Sequence, residues 1–98
     1  MKYLTIEDIK RQCIIDSDFT DDDSYLEALG DAAEEMVEKQ VNQSLDDIYT
    51  ANDGKMPSPL VHAMRMMVEY LYANRGGEDI QIPQAFYYFC QLYRNYSN

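Results

Sequence analysis

The chain has 98 residues, with 18 Asp and Glu against 8 Lys and Arg, a formal net charge of -10. That length fits one domain, residues 1–98, with a modest core, and no apolar run reaches the length of a membrane span. The acid excess, with Lys and Arg few and scattered, excludes a protein that grips nucleic acid by neutralising phosphates.

The charge is unevenly placed. Residues 1–54 hold 15 acidic against 4 basic side chains, whereas residues 55–98 hold 3 against 4. One half is therefore strongly acidic and the other nearly neutral and rich in tyrosine. Such polarity suits head-to-tail packing of like subunits or selection of a basic partner. The opening Met1-Lys2-Tyr3-Leu4-Thr5 lacks a signal-peptide pattern, which predicts a soluble chain made and kept in the cytoplasm.

The first predicted helix covers about residues 6–13. Thr5 is placed to cap it, Asp8 completes a capping box, and Leu4 is set to pack on Ile9 as a hydrophobic staple. Ile6, Ile9 and Cys13 face inward, and Ile14-Ile15 continues as an extended anchor. Residues 16–24 form an acidic connection. Asp16, Asp18, Thr20, Asp22, Ser24 and Glu27 fall on the ligand positions of an EF-hand register, but Asp21 stands where the sharp turn needs glycine. Asp23 occupies a position that is normally apolar. A carboxylate-rich helix start, favoured by the helix dipole, is the better reading.

A long helix then runs to about residue 42. Leu26, Leu29, Ala33, Met36, Val37 and Val41 line its inner face, with Asp31, Glu34, Glu35, Glu38 and Lys39 on the outer one. Ser24 with Glu27, or Thr20 with Asp23, supplies its capping box. Gly30 inside it points to a close helix crossing. Residues 43–56 read as a polar, mostly irregular connection, with one extra turn near residues 44–49 and a turn at Ala51-Asn52-Asp53-Gly54.

The next helix is sharply bounded. Ser58 caps it, Pro59 sits in its first turn, and Gly76-Gly77 ends it. Leu60, Met64, Met67, Val68 and Leu71 form its apolar stripe, and Met66 falls off that stripe. Pro83 begins the last helix, whose inner face is Ala85, Phe86, Phe89, Cys90 and Tyr93. The expected fold is all-α: a four-helix domain, two longer central helices between short first and last ones.

No catalytic constellation and no metal or cofactor site emerges. His62 is the single histidine and has no nucleophile or ligand partner at useful spacing, so it reads as surface or interface packing. Cys13 and Cys90 lack metal or redox spacing and read as buried free thiols. Tyr70, Tyr72, Tyr87, Tyr88, Tyr93 and Tyr96 are more tyrosines than a small core hides, and tyrosine suits interfaces. Arg75 and Arg94 close the last two helices, where a cation complements the dipole.

Taken in order, Leu4-Thr5-Ile6-Glu7-Asp8-Ile9-Lys10, Ile15-Asp16 with its acidic run, the Pro-led helix ending Tyr72-Ala73-Asn74-Arg75, and Ile82-Pro83 followed by Tyr93-Arg94 form a pattern. That pattern resembles the phage head–tail connector family across residues 3–94. The resemblance implies a small non-enzymatic helical adaptor of the virion neck, present in the host cytoplasm during assembly. It implies a homo-oligomeric ring beneath the portal, extending the DNA channel and docking the next neck or tail-completion protein. DNA would pass without sequence-specific binding, and no membrane is involved. An Arg at each of the places of Arg75 and Arg94 recurs in the family pattern, the first within a Tyr-x-Asn-Arg string. The candidate subunit or partner interface is thus Tyr72, Asn74, Arg75, Tyr87, Tyr88, Arg94 and Tyr96. Two other readings stand beside it: an acidic DNA mimic from a mobile element, and a calcium-binding helical module.

Overall fold

Every regular element among the described residues of the computed structural model (2–13, 15, 18, 20–74 and 81–95) is helical. In chain order these are α1 (Ile6–Gln12), α2 (Asp23–Val41), α3 (Leu45–Ala51), α4 (Ser58–Ala73) and α5 (Gln84–Gln91). The all-α class holds, and the two longer helices lie between short first and last ones. No helix among the described residues is long and apolar enough to cross a membrane.

α4 is the centre of the fold because its stripe is almost uninterrupted. Leu60, Ala63, Met64, Met67 and Val68 have no exposed surface, and α1, α2 and α5 all pack against this helix. Leu71 lies at the stripe's edge, half-buried against the core. The helix begins one residue earlier than the sequence suggests. Ser58 is its first residue rather than its cap, and the Pro57 carbonyl accepts from the amides of Leu60 at 3.0 Å and Val61 at 3.1 Å. At the far end Asn74 closes it, donating both its backbone N–H and its side-chain Nδ2 to the Tyr70 carbonyl at 3.1 and 2.8 Å. The expected terminator Gly76-Gly77 lies outside the described residues.

α1 starts as its sequence dictates. The Thr5 hydroxyl accepts from the Asp8 amide at 3.1 Å, and Leu4 and Ile9 are both buried. Ile15 packs on the core, while Ile14 lies outside the described residues. Lys10 also turns inward, its ammonium 2.8 Å from the Asp23 carboxylate. A buried cation needs a counter-charge, so Asp23 is drawn to Lys10. α2 starts at Asp23, with Ser24 inside it and Thr20 ahead of its N-cap, so neither expected capping box sits at its start. Asp22 is the N-cap and makes no side-chain cap bond, and the Asp23 amide is held by the Thr20 carbonyl at 3.2 Å.

Leu26, Gly30, Ala33, Val37 and Val41 bury the inner face of α2, with Leu29 and Met36 half-buried against it. The connection at 43–56 contains a fifth helix rather than a single turn. Ser44 caps α3 by accepting from the Asp47 amide at 3.4 Å, and Leu45 and Ile48 anchor it in the core. The expected turn follows, with Asp53 at φ 57° and Gly54 at φ 73°. In α5, Phe86 and Cys90 are buried, but Ala85 is exposed. With Phe86, Phe89, Cys90 and Tyr93 all inward, Ala85 falls on the far side of the helix.

Candidate interaction surfaces

The outer face of α5 carries large, weakly covered side chains. Tyr88 is 61% exposed, Leu92 54% and Tyr87 37%. Their positions follow from the inward pull of Phe86 and Cys90, which leaves residues 84, 85, 87, 88, 91 and 92 to solvent. The rings are held in place rather than dangling. Tyr87 stands edge-on to Phe86 at 5.5 Å between centroids, Tyr88 edge-on to Phe89 at 5.7 Å, and Phe89 edge-on to His62 of α4 at 5.0 Å. His62 is exposed and packs as an aromatic, in keeping with the packing role read from sequence.

The structure distributes the sequence-derived interface residues over several places. Tyr87 and Tyr88 are neighbours on the α5 face. Tyr72 is half-buried against the core on α4, and Asn74 caps that helix. Arg94 lies past α5 but reaches the end of α2, donating from Nη1 to the Gln40 carbonyl at 2.6 Å. It thus complements the C-terminal dipole of α2 rather than that of its own helix. The neighbouring contacts reinforce this join: the Asn95 amide donates to Val41 O at 2.8 Å, Gln43 Nε2 to Tyr93 O at 2.6 Å, and Asn42 Nδ2 to Asn95 O at 3.1 Å. Asn42 itself adopts φ 56° at the α2 C-cap. Arg75 and Tyr96 lie outside the described residues.

A second surface is acidic. Residues of the N-terminal strap (residues 2–4), α2 and α3 line a cleft of about 230 Å³, with Asp31, Glu35, Glu38 and Asp46 among its walls. Sequence periodicity placed Glu34 on the solvent side; instead it is buried. Its Oε1 accepts from the Lys2 amide at 3.0 Å, and its Oε2 from the amides of Tyr3 at 2.9 Å and Leu4 at 2.8 Å. One carboxylate thereby satisfies three successive backbone donors of a segment that has no helix to do so. The available signal was phase: Glu34 follows Ala33 and sits one turn after Gly30, at the edge of the buried stripe. Glu38 works similarly, accepting from the Leu45 amide at 3.0 Å at the start of α3.

Held in this way, the strap presents two side chains to α3. The Tyr3 hydroxyl donates to Asp46 Oδ1, and Lys2 Nζ lies 3.0 Å from Asp46 Oδ2. The Tyr3 hydrogen bond, followed by that of Lys2, holds the Asp46 carboxyl below its usual range. Desolvation, followed by the bond to Asp46, pushes the Tyr3 phenol well up.

Neither cysteine is paired. Cys90 is buried, which raises its thiol to about 11, and Cys13 is half-buried, raised by burial and then by Glu69. Among the described residues no group of three or more His, Cys, Asp or Glu could hold a metal ion. The second half of the EF-hand register is helical. Asp23 to Glu27 already belong to α2, and Asp23 is committed to Lys10; Asp16 lies outside the described residues.

No curated protein and no solved structure matches the chain. A family model does: that of the phage gp6-like head-tail connector protein matches residues 3–88. The match starts at Tyr3 in the strap, runs through α1 to α4 and ends at residue 88 within α5, so the Tyr93-Arg94 feature of the sequence pattern lies outside it. The chain therefore belongs to the phage gp6-like head-tail connector family, and its role is that of a structural connector of a phage.

Proposed function

We propose that this connector works as a homo-oligomeric ring, docked under the portal in the virion neck, that extends the DNA channel and receives the next neck or tail-completion protein. The family match over residues 3–88 carries this reading. The fold supports it in two ways. The exposed aromatic face of α5 is a surface suited to another protein, and the carboxylate-rich face of α2 and α3 is suited to a different one. A subunit with two unlike faces makes heterologous contacts, which close into rings when the rotation between copies permits.

DNA passes such a ring without being held. Carboxylates repel phosphates, and a wall that binds the duplex tightly would stall it. Assembly takes place in the host cytoplasm, with Tyr87 and Tyr88, together with Tyr72, Asn74, Arg75, Arg94 and Tyr96, as the interface candidates. Electron microscopy of the purified protein, with and without portal complexes, tests the reading. Annular particles, or an added annulus beneath the portal, are expected. Unaltered portals and dispersed monomers in both samples would refute it.

A further inference from the structure

We propose that Asp53 is a site of spontaneous isoaspartate formation and that the closing turn of α3 restrains it. This chemistry is independent of how copies assemble. Asp53 is the one Asp or Asn of the chain that is followed by glycine. Both residues are exposed, and the space that a side chain on Gly54 would fill is open. With no Cβ beside it, the Gly54 nitrogen approaches the preceding carboxyl without hindrance.

In the first step the Gly54 nitrogen attacks Cγ of the Asp53 carboxylic acid. An N–Cγ bond forms, a Cγ–O bond breaks, and the amide proton leaves with the hydroxyl as water. The product is a five-membered succinimide. Water then adds to either ring carbonyl. Opening at Cγ returns aspartate. Opening at the main-chain carbonyl carbon leaves the peptide running through Cβ and Cγ, with a free α-carboxylate. The water released is taken back, so the net change is an isomerisation and no other reactant is consumed.

The turn opposes the first step. Asn52 is the C-cap of α3, and two residues beyond its last helical residue plus one the Gly54 N–H donates to the Tyr49 carbonyl at 3.0 Å. That bond has the six-to-one spacing of a Schellman closure, with Asp53, at φ 57°, in the left-handed place that glycine usually takes. The attacking nitrogen is thus engaged. Lys55 adds two ties, its amide donating to Asn52 O at 3.2 Å and its carbonyl accepting from Asn52 Nδ2 at 2.9 Å. Swinging the Gly54 nitrogen onto Cγ rotates the Asp53 Cα–C bond and pulls that N–H off Tyr49. Reaction therefore passes through an opened turn, and helix ends open at low free-energy cost. Aspartate in the left-handed region is less favoured than glycine, which eases the opening. Once formed, isoaspartate lengthens the main chain by one methylene between Asn52 and Gly54.

Incubating the purified chain near neutral pH, folded and in urea, tests the site and its restraint together. The tryptic peptide of residues 40–55 is followed by chromatography, with electron-transfer fragmentation to tell isoaspartate from aspartate at position 53. Isoaspartate is expected there in both samples, forming roughly ten-fold faster in urea, because in the folded chain only molecules with the turn open react. Asn52→Ala, which removes the Nδ2 tie to Lys55, should raise the folded rate several-fold and leave the urea rate unchanged, with circular dichroism confirming the fold. Absence of isoaspartate at Asp53 in urea overturns the site. Equal rates folded and in urea, or an Asn52→Ala folded rate equal to that of wild type, overturn the restraint.

Discussion

Replacing Glu34 tests how the strap is held. Its carboxylate receives three backbone amides at 2.8–3.0 Å while only 8% exposed. A hydrogen bond to a charged group contributes about 1.5–3 kcal/mol net, and breaking a buried charged network costs on the order of 3–5 kcal/mol. Glu34→Ala leaves all three donors unmet, so the upper figure applies. For a domain whose total stability is about 5–15 kcal/mol, that is a large share. The expected fall in Tm is at least about 12 °C. Glu34→Gln is a graded control. The amides of Tyr3 and Leu4 share Oε2, so a carboxamide oxygen placed there retains two bonds and loses the one from Lys2. Its expected cost is about 1.5–3 kcal/mol. Thermal unfolding by circular dichroism gives the magnitudes, and amide exchange at Leu4 locates the effect. A Glu34→Ala Tm within about 4 °C of wild type, with Leu4 exchange unchanged, would refute the reasoning.

The other predictions concern the core, the α2 end and the strap. Met67→Ala removes a fully buried side chain from the stripe of α4 and should cost about 2–5 kcal/mol in a denaturant titration; a shift under about 1 kcal/mol would mean the stripe is misphased. Arg94→Ala should destabilise the fold by about 0.3–1 kcal/mol through loss of the dipole contact at Gln40, with faster exchange at the Asn95 amide. Arg94→Glu should cost more than Arg94→Ala, since it sets an anion at a helix C-terminus, and equal unfolding midpoints for the two would argue against the dipole account. Tyr3→Phe should let the Asp46 carboxyl rise toward its ordinary value of 3.8, read by NMR titration. Because the folded carboxyl lies below that value, its contribution is present above about pH 4 and is lost as the pH falls through the folded pKa. An Asp46 titration identical in wild type and Tyr3→Phe would show that the hydroxyl is not its partner.

Features set by local chemistry were legible in the sequence. Thr5 caps α1 because a hydroxyl three residues before an amide meets it whatever the rest of the chain does. The stripe of α4 was readable because its inward residues, Leu60 to Leu71, keep helical spacing over about three turns. Features set by distant partners were not. Glu34 looked solvent-facing because the strap that covers it lies about thirty residues away in sequence. Asp23 could not be assigned without knowing that Lys10 turns inward. α3 has only Leu45 and Ile48 to announce it, and its helicity depends on the core they enter. Of the interface residues, the exposure of Tyr87 and Tyr88 followed from helical phase. The reach of Arg94 to Gln40, 54 residues away, did not.

The grip on residues 2–4 reads main chain, not side-chain identity. Drift at positions 2 and 3 is therefore compatible with an intact anchor, as long as each residue brings an N–H. Proline is the one substitution that position 2, 3 or 4 should reject on this ground alone. Across divergent members of the family, an acidic residue should persist at the place of Glu34 while the letters it holds are rewritten.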